Sequence, residues 1–169
     1  MKKILIALAV LLAAQVADAQ VKVDAVKKAV ASAEEAAQNP KKNTKVATWL
    51  KLATTYMDAY EAPAGNVLLN SPRMQIQMMM GNEKPTSSEE VIVDGVPFKK
   101  EVFANKNLYY DATDVLRIVE ITKPVFADPL GEALKAYSKA YEVDAKKSKE
   151  KDIKEGIKTI AEKYFVDGM

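Results

Sequence analysis

The chain has neither cysteine nor histidine. Without them there is no Ser-His-Asp or Cys-His relay, and the usual tetrahedral zinc sites lose their ligands. The missing cysteine also excludes disulfides and lipid attachment through an N-terminal cysteine. Glycine is scarce, six in 169 residues, and none lies in a phosphate-cradling loop. No charge sign dominates: 25 basic residues face 23 acidic ones, a net charge of +2. That balance gives no electrostatic footprint for nucleic acid or an anionic membrane. Beyond residue 20 no long apolar run follows, so no integral membrane segment is expected there.

What is present begins with a leader. Lys2 and Lys3 form a positive start, Ile4 to Val16 an apolar run too short for a comfortable membrane span, and Ala17-Asp18-Ala19 an A-x-A cleavage site. Residues 1–19 read as a secretory signal peptide cut between Ala19 and Gln20. Removing it leaves 150 residues, with 23 basic and 22 acidic side chains once Lys2, Lys3 and Asp18 are gone. The expectation is a periplasmic or secreted protein held together by packing alone, with residues 20–169 forming one domain.

Asp24 to Gln38 reads as a helix with a narrow stripe of Val26, Val30, Ala33 and Ala37, and Asn39-Pro40 ends it. Asn43 or Thr44 is placed to cap the next helix. There Trp49, Leu52, Ala53, Tyr56 and Tyr60 recur at i, i+3, i+4, i+7 and i+11, so they stack on one side. The small Ala53 leaves a notch for a second helix, and the short connection predicts an antiparallel pair. Ser71-Pro72 reads as an N-cap with proline at the first helical position, opening a short helix closed by Gly81-Asn82.

From Glu89 the residue types favour strands. Asp94-Gly95 joins Val91-Ile92-Val93 to Val96-Pro97-Phe98 as a two-residue hairpin, with Pro97 confined to an edge or bulge. Asn105-Lys106-Asn107 reads as a turn, Leu108-Tyr109-Tyr110 as a third strand and Val115 to Thr122 as a fourth. The exposed face of this meander would carry Lys99, Glu101, Arg117 and Glu120 in some mixture. The helical period returns with Leu130, Ala133, Leu134, Tyr137, Ala140 and Tyr141. It continues, after a solvated Lys146–Lys151 run, with Ile153, Ile157, Ile160, Ala161 and Tyr164.

Trp49, Leu52, Ala53 and Tyr56 match the first helix of a tetratricopeptide repeat, W-x2-L-G-x2-Y, with Ala53 in place of glycine. Ala133, Tyr137 and Ala140 match the second helix, with tyrosine for phenylalanine. Ile157, Ile160, Ala161 and Tyr164 repeat the opening pattern. The chain thus resembles tetratricopeptide repeat proteins exported by Gram-negative bacteria. Trp49 and Ala133 stand 84 residues apart, where a repeat places them about 16 apart, so roughly 68 residues look inserted. The fold implied is α+β: antiparallel helix pairs with a small antiparallel meander, about residues 66–126, inserted within one repeat. The insertion in turn resembles the helix-plus-sheet module of SmpA/OmlA-type outer-membrane proteins. The last helix stands where a repeat would turn into its second helix, so either further repeats or a capping role is expected.

For chemistry only carboxylate pairs remain. Glu34-Glu35, Glu89-Glu90 and Asp111 with Asp114 read as solvated or turn residues, and the segment after Asp111 lacks calcium-loop spacing. The expectation is no enzyme, no cofactor and no metal. A protein or peptide partner in a groove between helices is expected instead, since solenoids present concave surfaces. An envelope-assembly accessory acting through the inserted sheet and a carboxylate-based glycan hydrolase are the alternatives. Met74, Met78, Met79 and Met80 offer a soft apolar surface. Ile76, Met79 and Met80 would instead pack the short helix on the sheet. Of Tyr109 and Tyr110, one should face the core and the other solvent.

Overall fold

A computed structural model describes residues 23–167. The leader, with its cleavage position at Ala19 and Gln20, lies outside the described residues. Those residues form a mixed α+β structure of five helices and one four-stranded antiparallel sheet. They divide into two compact units, residues 62–124 and the helical segments before and after them. No helix among the described residues is long and apolar enough to cross a membrane.

The helical unit contains α1 (residues 23–38), α2 (Val46–Glu61), α4 (Pro129–Val143) and α5 (Glu150–Asp167). Val30, Ala33 and Ala37 of α1, Leu52, Ala53, Tyr56 and Ala59 of α2, and Leu130, Ala133, Ala136, Tyr137 and Ala140 of α4 are buried in one cluster. Ile153 and Ile160 of α5 complete it, and Trp49, Tyr60 and Ile157 pack against it half-buried. The alanines let the helix axes approach closely while the two tyrosines fill the space between. The cap of α2 differs from expectation. The helix begins only at Val46, and Asn43 uses its backbone carbonyl, 2.6 Å from Trp49 Nε1, to hold the indole. Asp128 caps α4 through Gly131 N at 2.9 Å, with Pro129 just inside the start. The lysine run is a turn as far as Lys149, pinned by buried Asp144, whose carboxylate accepts the amides of Ser148 and Lys149, and its last two residues, Glu150 and Lys151, open α5.

The second unit contains α3 (Arg73–Met80) and strands β1 (Ser87–Val93), β2 (Val96–Val102), β3 (Lys106–Tyr110) and β4 (Leu116–Ile121), in that order across the sheet. Asp94 and Gly95 both take positive φ, 51° and 80°, as a two-residue hairpin of primed type requires. In such a hairpin Val93 and Val96 exchange hydrogen bonds, so the next pair, Ile92 and Pro97, does not, and proline costs the ladder nothing. Ile76, Phe103, Leu108, Tyr110 and Leu116 form this unit's core, with Met80 packed against it.

Three expectations are corrected here. Pro72, not Ser71, is the residue before α3; it is extended, bridges to Val115, and has no side-chain cap, because Asn70 and Ser71 are hydrogen-bonded to Leu116. Lys106 and Asn107 belong to β3, since Asn107 pairs with Val102. Glu101 is buried, 1% exposed, because it shares a face with Leu108 and ion-pairs with Arg73, which also stacks over Tyr110 at 5.7 Å.

Candidate functional site

The helical unit carries a pocket of about 250 Å³ lined by Glu34, Trp49, Leu52, Tyr56, Glu132, Lys135, Ala136 and Lys139. Its walls follow from helical spacing. Trp49, Leu52 and Tyr56 stand at i, i+3 and i+7 on α2, and Glu132, Lys135, Ala136 and Lys139 at i, i+3, i+4 and i+7 on α4. Leu52, Tyr56 and Ala136 are buried, Trp49 is half-buried, and the two lysines are exposed. The result is an apolar and aromatic floor beneath a charged rim.

The polar groups are already engaged. Tyr56 donates its hydroxyl to Glu34 Oε1 at 2.5 Å, and its ring meets Phe126 edge-on with centroids 5.7 Å apart. Burial, then the Glu34 hydrogen bond and charge, push the Tyr56 phenol well above its ordinary range, so it stays a neutral donor. Lys135 pairs with Glu132 at 2.6 Å and Lys139 with Glu142 at 2.5 Å. The hydrogen bond from Lys135 to Glu132 raises the lysine further. Both pocket carboxylates thus hold neighbours in place. The site can grip an apolar side chain on its floor and orient it by rim charge.

The residues expected to pack a repeat divide between core and surface. Leu52, Ala53, Tyr56, Ala133, Tyr137, Ala140 and Ile160 are buried together, with Trp49 and Ile157 packed against them. Ala161 and Tyr164 are exposed, Tyr164 by 46%. The inner stripe of α5 runs Ile153, Gly156, Ile160, Lys163, so Lys163 takes the inward position near the helix end. It pairs with Glu61 at 2.8 Å and lies over Tyr60 at 5.0 Å. Tyr164 donates to Asp128 at 3.1 Å. On α4, Leu134 and Tyr141 are exposed and Ala136 takes the buried place, because the stripe follows 130, 133, 136–137 and 140.

Sequence reasoning missed Gly156. A Cβ there would lie 2.2 Å from Tyr137 Cζ, so glycine is what lets that ring seat against α5. An unexplained glycine in an otherwise helical run was the available signal.

The carboxylates weighed for hydrolysis lie apart. Glu89 pairs with Lys100 at 3.2 Å, and Glu90 points to the other face of β1. Asp111 and Asp114 stand in the turn after β3, two strands across the sheet from β1, a separation of about 10 Å. Asp111 accepts from Thr113 and Arg117, which hold its carboxyl well below the usual carboxylate range. Tyr109 is the outward tyrosine: it donates to Glu120 at 2.5 Å, while Tyr110 is buried. Met74 and Met78 are 74% and 78% exposed, whereas Ile76 is buried.

No protein-family model matches the chain, and no curated protein or solved structure is significantly similar to it.

Proposed function

We propose that this protein is a non-catalytic scaffold of tetratricopeptide type, exported to the periplasm or secreted, which holds a protein or peptide partner in the pocket between α2 and α4. The observation that carries the reading is that pocket: an aromatic and apolar floor with a charged rim, built on rigid helices and large enough for one bulky side chain. Support also comes from the burial of Tyr56, Ala133, Tyr137 and Ala140 in one cluster, across the long insertion between their helices. Trp49 is the chain's one tryptophan and stands in the pocket wall, so its emission reports occupancy. Titrating the whole protein with extended peptides bearing a single Leu, Phe or Tyr anchor should give a saturable emission shift for a subset of them. Emission unmoved by every peptide, together with a lone monomer after crosslinking in envelope extract, contradicts the reading.

A second reading, an envelope-assembly accessory acting through the inserted sheet, is favoured by the compactness of residues 62–124 and the exposure of Met74 and Met78 on it. It predicts outer-membrane co-fractionation that is lost when residues 69–122 are deleted.

A further inference from the structure

We infer that Asn105 and Lys106 form a neck clasp that closes residues 62–124 into a module opening independently of the helical unit. The chain enters this unit at Ala62 and leaves it at Pro124, and both ends converge on one turn. Asn105 Nδ2 donates to the Pro63 carbonyl at 3.2 Å. The Asn105 carbonyl accepts the amides of Thr122 at 3.0 Å and Lys123 at 3.2 Å. One residue therefore ties the incoming segment to the outgoing one.

Lys106 adds a second tie. Its Nζ lies 2.9 Å from Glu83 Oε1 and 3.4 Å from the same Pro63 carbonyl, over the Phe103 ring at 5.6 Å. Lys106 is only 2% exposed. Lysine is almost never buried that deeply unless its charge is matched, and here the match joins β3 to two segments distant in sequence. A turn that merely reversed the chain would leave such a side chain in water.

The helical unit is closed at its own side of the interruption by the Tyr56–Phe126 ring contact and the packing of α2 on α4. Each unit thus seals its own ends with its own residues. Loss of the clasp opens 62–124, α3 included, as a cooperative block and leaves the helical unit protected.

Native-state hydrogen exchange on the full chain tests this with two mild variants. Glu83→Gln leaves the Lys106 charge without its carboxylate, and Asn105→Ala removes the donor to Pro63. In either variant the amides of Thr122, Lys123 and β2 to β4 should exchange roughly 10- to 100-fold faster, while those of α2 and α4 stay within about twofold. Equal acceleration in α2 and α4, or unchanged exchange at Thr122 and Lys123, overturns the inference.

Discussion

Replacing Gly156 by alanine reverses an ordinary expectation. In a helix interior that change normally stabilises by about 1 kcal/mol, through backbone entropy. Here the new Cβ would stand 2.2 Å from Tyr137 Cζ, 2.5 Å from its hydroxyl oxygen and 2.6 Å from Cε1. Carbon atoms in contact sit roughly 3.5–4.0 Å apart, so the ring would have to retreat by more than an ångström. Tyr137 is 6% exposed and packed in the alanine-rich cluster, so it has little room to do so. Overpacking of this kind costs about 1–3 kcal/mol, more where nothing can yield. Set against the helix gain, the net destabilisation should reach about 2 kcal/mol. At this chain length that lowers the melting temperature by up to roughly 8 °C, read by circular dichroism at 222 nm. In a Tyr137→Leu background the obstruction is gone, and Gly156→Ala should become neutral or stabilising. Stabilisation by Gly156→Ala in the parent protein would refute this account of α4 and α5.

Three further outcomes follow from the same geometry. Trp49→Ala should cost roughly 2–3 kcal/mol in urea unfolding, less than the 3–5 kcal/mol of a fully buried tryptophan, because the indole is half-buried; Trp49→Phe, which loses the bond to Asn43, should cost about 1 kcal/mol. Glu101→Ala should destabilise residues 62–124 by about 2 kcal/mol, since it leaves partly exposed Arg73 with only the Asp114 carboxylate at 3.8 Å, whereas an Arg73→Leu/Glu101→Leu double variant should come close to the parent, both read by hydrogen exchange within that unit. Burial and then the Glu120 hydrogen bond push Tyr109 up to about 12, so ultraviolet titration should find it ionising well above the usual 10, and Glu120→Gln should bring it down. The sign follows from linkage: the Tyr109 contribution is complete below pH 10 and is lost as pH rises from about 10 to 12.

Local signals were legible where one residue type decides the backbone. Asp94-Gly95 dictated its turn, and Asn39-Pro40 ended α1, because few conformations accept those pairs. Period 3.6 located α2 and α4, and the spacing Leu52, Ala53, Tyr56 found buried positions. Strand period two, by contrast, says that neighbours face opposite ways without saying which face is inside. From its position alone Glu101 therefore reads as outward, although Arg73, distant in sequence, draws it in. Pro72 looked like a helix start because nothing local announces its bridge to Val115. On α5 the repeated pattern of Ile157, Ile160, Ala161 and Tyr164 suggested burial, yet the stripe drifts and Lys163 turns inward. The pocket was half legible: Trp49 and Tyr56 stood out, whereas Glu34, Glu132, Lys135 and Lys139 looked like ordinary solvated charges until the helices brought them together.

The most direct measurement is site-specific photocrosslinking from Lys139 on the pocket rim, compared with Lys154 on α5 outside it, in cells expressing the protein. The proposed function predicts a discrete adduct from position 139, mapped to one segment of one partner, and none from position 154. No adduct at 139, or the same adducts from both positions, would contradict it.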